Sequence, residues 1–293
     1  MKKIGSKRIA AVILALAVAA AALTGCASKT GGSSSQAKVT PVVAAVIGTT
    51  NGYAYVDKSN KLVGYNIDVL NAVFAKLPQY KLSFKITDFQ SIFSGVDSGI
   101  YQIGAQAFIS NADRRQKYIF TDAFGKYVFQ IVTSADNTTI KSWKDLGGLT
   151  TEDMAGDGPV AIVQAYNKAY PDKPIKLNYV ESSDGTLNHI IDQKVDFSIS
   201  STTTEKLRAK SFGVEKQIKF VPFGDGAPSY FSTNQYFGFL ISKTNPTLAN
   251  DFNRELEKLI SDGTIEKLSK KWFGSSEYAV TQKEATAFRD AKK

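Results

Sequence analysis

The sequence predicts an α/β fold with largely parallel sheets, preceded by a segment of different material. Three observations predict it. Short apolar or alternating runs recur as candidate strands. Amphipathic helix patterns separate them, the order expected of a layered α/β body. A chain of 293 residues with 43% hydrophobic and 22% charged content has the length and composition for a packed core.

Residues 42–48 (VVAAVIG) read as a buried strand. Ile67, Leu70, Val73, Phe74 and Leu77 share one face of a helix that Pro78 stops. Residues 82–87 (LSFKIT) alternate as a strand. Phe89, Ile92, Phe93 and Val96 mark a short helix ending at Gly99, and residues 101–108 return to strand. A second set follows: an extended run at 127–133, then a helix start at Asp157-Gly158-Pro159 with Asp as N-cap and Pro in the first turn. Strand 175–180, a helix near 186–193 and strand 195–200 continue the alternation. The last strand, 236–242, precedes a helix built on Leu248, Phe252, Leu256 and Leu259, which Gly263 can end. Thr264 can cap one further helix, closing at Trp272-Phe273-Gly274, and the polar stretch beyond Ser275 is expected to be loose. No internal repeat is visible.

The N-terminus differs. Residues 1–8 (MKKIGSKR) carry four positive charges, and residues 9–23 are uncharged and almost wholly apolar. A basic head, a short apolar run and a small-residue site form an export signal over residues 1–25. The run is short for a membrane-spanning helix. Cys26 is the only cysteine and has no internal disulfide partner. The sequence L-T-G-C ending at Cys26 resembles the bacterial lipobox, whose cysteine is acylated. The diacylglyceryl group this implies would hold the chain stably at a membrane, where one acyl chain holds only marginally. Residues 26–38 form a flexible Gly/Ser tether.

Net charge is +9, and four of those charges lie in the basic head, leaving +5 for the remainder. No basic stripe with interleaved aromatics is present, so nucleic acid is not an expected partner. One histidine, His189, lacks motif context, and no carboxylate cluster has metal spacing, so no cofactor or metal is expected.

The segment NADRRQKYIFTD, 111–122, places Arg114 and Arg115 side by side, about 100° apart if helical. With three other stretches, it is similar to the extracellular solute-binding proteins of polar amino-acid ABC importers. The stretches are KLVGYNIDVLNAV (61–73), DFQSIFSGVDSGIYQIGAQAF (88–108) and LANDFNRELEKLISDGTIEKLSKKWFG (248–274). The order and spacing carry the resemblance from about Thr40 to Gly274, and N-x-x-R-x-x-K-Y-x-F is nearest the cystine-binding branch. The resemblance implies a two-lobe periplasmic-binding-protein type II fold with a ligand cleft between lobes joined by two crossover strands. Lobe 1 would span 39–125 plus 234–274, lobe 2 would span 126–233, and 275–293 would form a polar tail.

By the same resemblance, Arg114, six residues before Phe120, would hold an amino-acid carboxylate, while Arg115 and Lys117 stay solvated. A planar guanidinium suits a carboxylate bidentately. Phe89 and Tyr53 match ligand-packing aromatics, and Gly158 matches a place where backbone N–H groups meet the carboxylate. Three positions depart from the pattern. Ile109 replaces a hydroxyl donor and keeps only its backbone N–H. Ser201 replaces the aspartate that pairs with the ligand amine, for which Asp157, Glu181, Asp184 or Glu205 could substitute. Thr50 replaces an aromatic.

The implied function is capture of an amino acid, close analogue or related small carboxylate by a monomer that is lipid-anchored on the outer face of the cell membrane. Delivery would be to an ABC permease with its ATPase. Two rival classes remain open. One is a sensor or surface-interaction protein, although sensors of this fold usually continue past a tail such as the one ending at Lys293. The other is a cyclohexadienyl-dehydratase-like enzyme, for which no acid/base motif is found.

Overall fold

The computed structural model describes residues 39–231 and 234–291. The expected export segment, Cys26 and the tether lie outside the described residues. Among the described residues, no helix is long and apolar enough to cross a membrane.

The chain begins with β1 (Thr40–Val46), then β2 (Thr49–Thr50), β3 (Ala54–Val56) and β4 (Leu62–Val63), which lead into α1 (Tyr65–Phe74). Next come β5 (Tyr80–Ile86), α2 (Phe89–Asp97), β6 (Ile103–Ile109), α3 (Ala112–Lys117) and β7 (Tyr118–Phe120). The long β8 (Gly125–Ser134) opens a second set: β9 (Thr150–Met154), α4 (Gly158–Ala169), β10 (Lys176–Val180), α5 (Thr186–Ile191), β11 (Ser198–Ser201), α6 (Thr202–Phe212) and β12 (Ile218–Val221). β13 (Asn234–Ser242) returns, followed by α7 (Pro246–Ser261), α8 (Thr264–Phe273) and α9 (Gln282–Asp290).

Local chemistry explains several boundaries. Gly64 opens α1 at φ 135°, and a Cβ there would lie 2.2 Å from the Tyr53 carbonyl oxygen, so only glycine fits. Asp88 caps α2 by accepting the Ser91 N–H at 2.8 Å. Asp157 caps α4 with proline in its first turn, as the sequence predicts. Gly263, at φ 77°, separates α7 from α8 and is itself the N-cap of α8, with no side-chain cap from Thr264.

The main sheet runs β11-β8-β13-β6-β1-β5, with β12 also on β8 and β7 on β13. β1 is parallel to β5 and β6, and β9 pairs parallel with β10. β8 and β13 are antiparallel to every neighbour. The expectation of largely parallel sheets is therefore corrected. The chain crosses between its two halves once in each direction, so residues 125–128 must pair antiparallel with 234–237.

Each half buries its own core. Val42, Leu70, Phe239 and Phe252 belong to one, extended by Phe108, Phe120 and Phe288. Ile131, Ile162, Phe197 and Phe223 belong to the other, flanked by Val132, Leu187 and Ile190. Tyr127, on the crossover, packs against both.

The C-terminal stretch is ordered, contrary to expectation. Thr281 and Glu284 form a capping box at the start of α9, and Tyr278, Val280, Ala285 and Phe288 are buried. Arg115 is not solvated either. Its guanidinium donates to the Arg289 carbonyl at 3.0 Å and to the Phe288 carbonyl, and stacks on the Phe120 and Phe288 rings at 5.1 and 5.3 Å. A cation there satisfies the free carbonyls of a helix C-terminus. Arg289 in turn pairs with buried Asp122 at 3.0 Å. Glu284 ties α9 to both crossover strands, accepting from Lys126 at 3.2 Å and Tyr236 at 2.8 Å.

Arg115→Ala is expected to remove about 1–3 kcal/mol of stability, a Tm drop of several degrees in thermal unfolding. An unchanged Tm would dismiss the clamp. Burial acts to raise the Glu284 carboxyl, but hydrogen bonds from Thr281 and Tyr236 and the Lys126 ammonium prevail and hold it down to about 2. A lowered carboxyl contributes stability that is complete above its ordinary value of 4.5 and is lost as pH falls toward 2. Hydrogen exchange should therefore show α9 loosening in that window, and Glu284→Gln should abolish the pH dependence.

Candidate functional site

A cavity of about 130 Å³ lies where the two halves meet. That is comparable to cavities that hold a benzene-sized molecule, so its scale suits a small ligand. From the first half it is lined by Thr50, Tyr53, Asn66, Phe89, Gln106, Phe108 and Ile109. From the second come Asp153, Asp157, Ser201, Glu205 and Arg208, among others, and Tyr127 contributes from the crossover.

Five of the sequence-predicted residues meet here: Thr50, Tyr53, Phe89, Ile109 and Ser201. Tyr53 is 1% exposed and packs on Tyr127 and Phe273, with ring centroids 5.3 and 4.7 Å away. Its burial pushes the phenol far above its ordinary value, partly offset by the Ser201 and Thr204 hydroxyls. Phe89 packs on Phe93 and Phe108. Thr50 accepts from the Gln106 amide at 3.5 Å. Ser201 caps α6 by accepting the Thr204 N–H at 3.4 Å, which places its hydroxyl at the rim of that helix.

Arg114 and Gly158 are not among the lining residues. Arg114 is 6% exposed and stacks on Phe108 and Phe93 at 5.1 and 5.4 Å. Its guanidinium donates to the Ile109 carbonyl at 2.8 Å and, across the junction of the halves, to the Gly156 carbonyl at 2.5 Å. Gln90 makes a second such bridge to the Ala155 carbonyl at 2.7 Å. Burial lowers the Arg114 proton affinity, and the charge of Asp157 counters this. The same two effects act on Asp157 in mirror image: burial raises its carboxyl and Arg114 restrains the rise.

Gly158 has a partner within the chain. Its N–H donates to the Asp157 carboxylate at 2.7 Å, so the N-terminus of α4 is already served by the chain's own anion. Glycine also allows close approach: a Cβ would lie 2.7 Å from Ile109 Cδ1, so a larger residue would push the tip of Ile109 aside where the two halves meet.

Of the four acids that might replace the missing aspartate, Asp157, Asp184 and Glu205 line the cavity and Glu181 does not. Glu205 accepts from Arg208 at 2.9 Å and Ser200 at 2.8 Å, and Arg208 lies 3.9 Å from Asp184. His189 packs against Glu152, Nδ1 to Oε1 2.7 Å. Among the described residues, no group of three or more His, Cys, Asp or Glu side chains could hold a metal ion.

Asp153, Arg208, Gln106 and Asn66 escape sequence reasoning. Asp153 sits in β9, a strand masked by its polar composition (TTEDM). Asn66 is visible in the G-Y-N-I-D stretch, but its amide is fixed by the Ala105 carbonyl at 3.1 Å, a contact 39 residues away.

The chain matches the bacterial extracellular solute-binding proteins, family 3, over residues 42–275. It is 28% identical over 235 residues to the L-cystine-binding protein TcyJ of Bacillus subtilis (strain 168), covering 78% of this chain and 84% of that protein. It is 31% identical over 228 residues to TcyA, an L-cystine-binding protein of the same organism, covering 78% and 79%. A structure solved in work on glutathione import via GshT and the cystine ABC importer TcyBC of Streptococcus mutans superposes with a TM-score of 0.76 at 31% identity. That superposition covers 84% of this chain and 99% of that one. An ancestral amino-acid-binding protein, the precursor of cyclohexadienyl dehydratase, shares the fold at 22% identity and TM-score 0.66. With its two cores, its paired crossover strands and a match across 42–275, this chain belongs to the bacterial extracellular solute-binding proteins, family 3.

Proposed function

We propose that this protein captures an amino acid or close analogue outside the cell, closes its two lobes around it and delivers it to an ABC permease powered by a cytoplasmic ATPase. The observation that carries this reading is a small cavity walled by both halves, with acids and a guanidinium beside one another at its edge. Relatives named as cystine-binding proteins support amino-acid chemistry.

Within this reading Arg114 takes the ligand carboxylate when the lobes part; with them together it stands off the cavity wall, its guanidinium on the Ile109 and Gly156 carbonyls. Two of its five N–H donors go to backbone carbonyls, and the others can serve a carboxylate. Asp157, whose charge is felt by Arg114, takes the amine in place of Ser201. Phe89 and Tyr53 pack on the ligand's apolar atoms, Thr50 and Ser201 offer hydroxyls, and the Ile109 N–H stands in for the lost side-chain donor. The lobes are 39–125 plus 234–274, and 126–233. The body acts as a monomer, tethered by residues 26–38 to a lipid on Cys26, and is not an enzyme. A dehydratase would need an acid in the cleft, and the raised carboxyls of Asp153 and Asp157 are the features favouring that rival. Turnover of prephenate or arogenate would replace the transport reading.

Arg114→Ala should weaken binding of the best ligand from a thermal-shift screen by about a hundredfold, roughly 2.7 kcal/mol, with the fold intact. Arg115→Ala should leave affinity unchanged. Equal effects in calorimetry would refute the assignment. Cys26→Ser should move the protein from the membrane fraction to the soluble one, and continued membrane retention would count against lipidation.

A further inference from the structure

The cavity wall carries more negative charge than an amino-acid head group requires. Glu152, Asp153, Asp157, Asp184 and Glu205 line it, against Arg208 as the only basic lining residue among those described. Four of these acids have company. Glu152 accepts from Thr186 at 2.8 Å and meets His189 at 2.7 Å. Arg208 serves Glu205 and Asp184, and Asp157 has the Gly158 N–H and the field of Arg114. Asp153 is different. It accepts its neighbour Met154's N–H at 2.7 Å, and among the described residues no basic side chain stands within ion-pair distance of it. Burial, then the adjacent Asp157 charge, push its carboxyl well above the ordinary range, with Arg208, the smallest of the influences, pulling the other way. A carboxylate left in this state favours an incoming cation.

A second observation is independent of charge. Gln106 is 7% exposed and Asn66 0%, and both line the cavity. Their amide nitrogens are held by Thr50 and Ala105. This leaves Gln106 Oε1 and Asn66 Oδ1 buried in the cavity wall, and neither has a hydrogen-bond partner. Buried acceptors without donors are unfavourable until a ligand N–H meets them. Carboxylates and amide oxygens together ask for a donor-rich cation. The acids do not group as a metal site, so an organic ammonium or guanidinium fits better than a metal ion.

We propose that the cavity selects an amino acid whose side chain is positively charged, with Asp153 as its counter-ion and Gln106 and Asn66 accepting from its remaining N–H groups. This selection rests on the capture function, with the cavity as its ligand site. The discrimination is electrostatic: an uncharged side chain of equal length leaves Asp153 and both oxygens unmet, which is how a polar site rejects an analogue lacking the group.

Calorimetry on the purified protein tests this with lysine, ornithine and arginine against norleucine and citrulline, which match them in length without the charge, and against cystine. The charged amino acids should bind at least about tenfold more tightly, about 1.4 kcal/mol. Asp153→Asn should erase that preference and raise the Tm of the unliganded protein, because it removes an unpaired charge while keeping the shape. A preference for norleucine, citrulline or cystine would overturn the proposal, and the unmutated protein suffices to show it. So would a charge preference that survives Asp153→Asn. Tight binding of a neutral amino acid would overturn this inference alone, whereas binding of no amino acid would overturn the transport reading with it.

Discussion

The antiparallel pairing of residues 125–128 with 234–237 is the contact on which the rest of the molecule depends. It is where the chain leaves one core and where it comes back. Tyr127, midway along it, packs on both cores and reaches the cavity. Gly125 tolerates no side chain, because a Cβ would lie 2.4 Å from Phe237 Cζ on the partner strand. α9 is fastened to the same pair through Glu284, which holds Lys126 on one strand and Tyr236 on the other. Any rotation of one half against the other must be absorbed near these residues, since both connections pass through them.

The cavity inherits its chemistry from that junction. Side chains from the two halves are buried together at one place, so each charge acts strongly on the next. Arg114 and Asp157 come from opposite halves and temper one another, and Arg208 is shared by Glu205 and Asp184. Asp153 is the acid left over. A buried acid of this kind gains when a complementary charge enters.

The two neighbouring arginines illustrate how much a local pattern can carry. Their angular separation on α3 guarantees different destinations, and spacing to Phe120 singles out Arg114. Both prove to be embedded. Arg114 lies on Phe108 and reaches Gly156, 42 residues away, while Arg115 reaches Phe288 and Arg289, more than 170 residues away. The second destination is illegible in the sequence, because α9 is polar by composition. Only four positions in and before it, Tyr278, Val280, Ala285 and Phe288, turn inward, and the stretch reads as a loose tail until the groove that receives them is known.

Amino-acid order alone was enough to specify many of the elements, their alternation along the chain and the family, but not β9 or α9. Periodicity and caps are properties of neighbouring residues, and they placed α2, α4 and α7 and the strands of both cores closely. Family spacing also named four residues of the cavity's first-half wall: Thr50, Tyr53, Phe89 and Ile109. Only the folded chain shows which acids share the cavity, how closely Gly158 meets Ile109, and that the long crossover strands run antiparallel. The reason is physical. Charge and hydrogen-bond state depend on who stands within a few ångströms, and at Asp153, Arg114 and Gln106 those neighbours come from segments far apart in the chain.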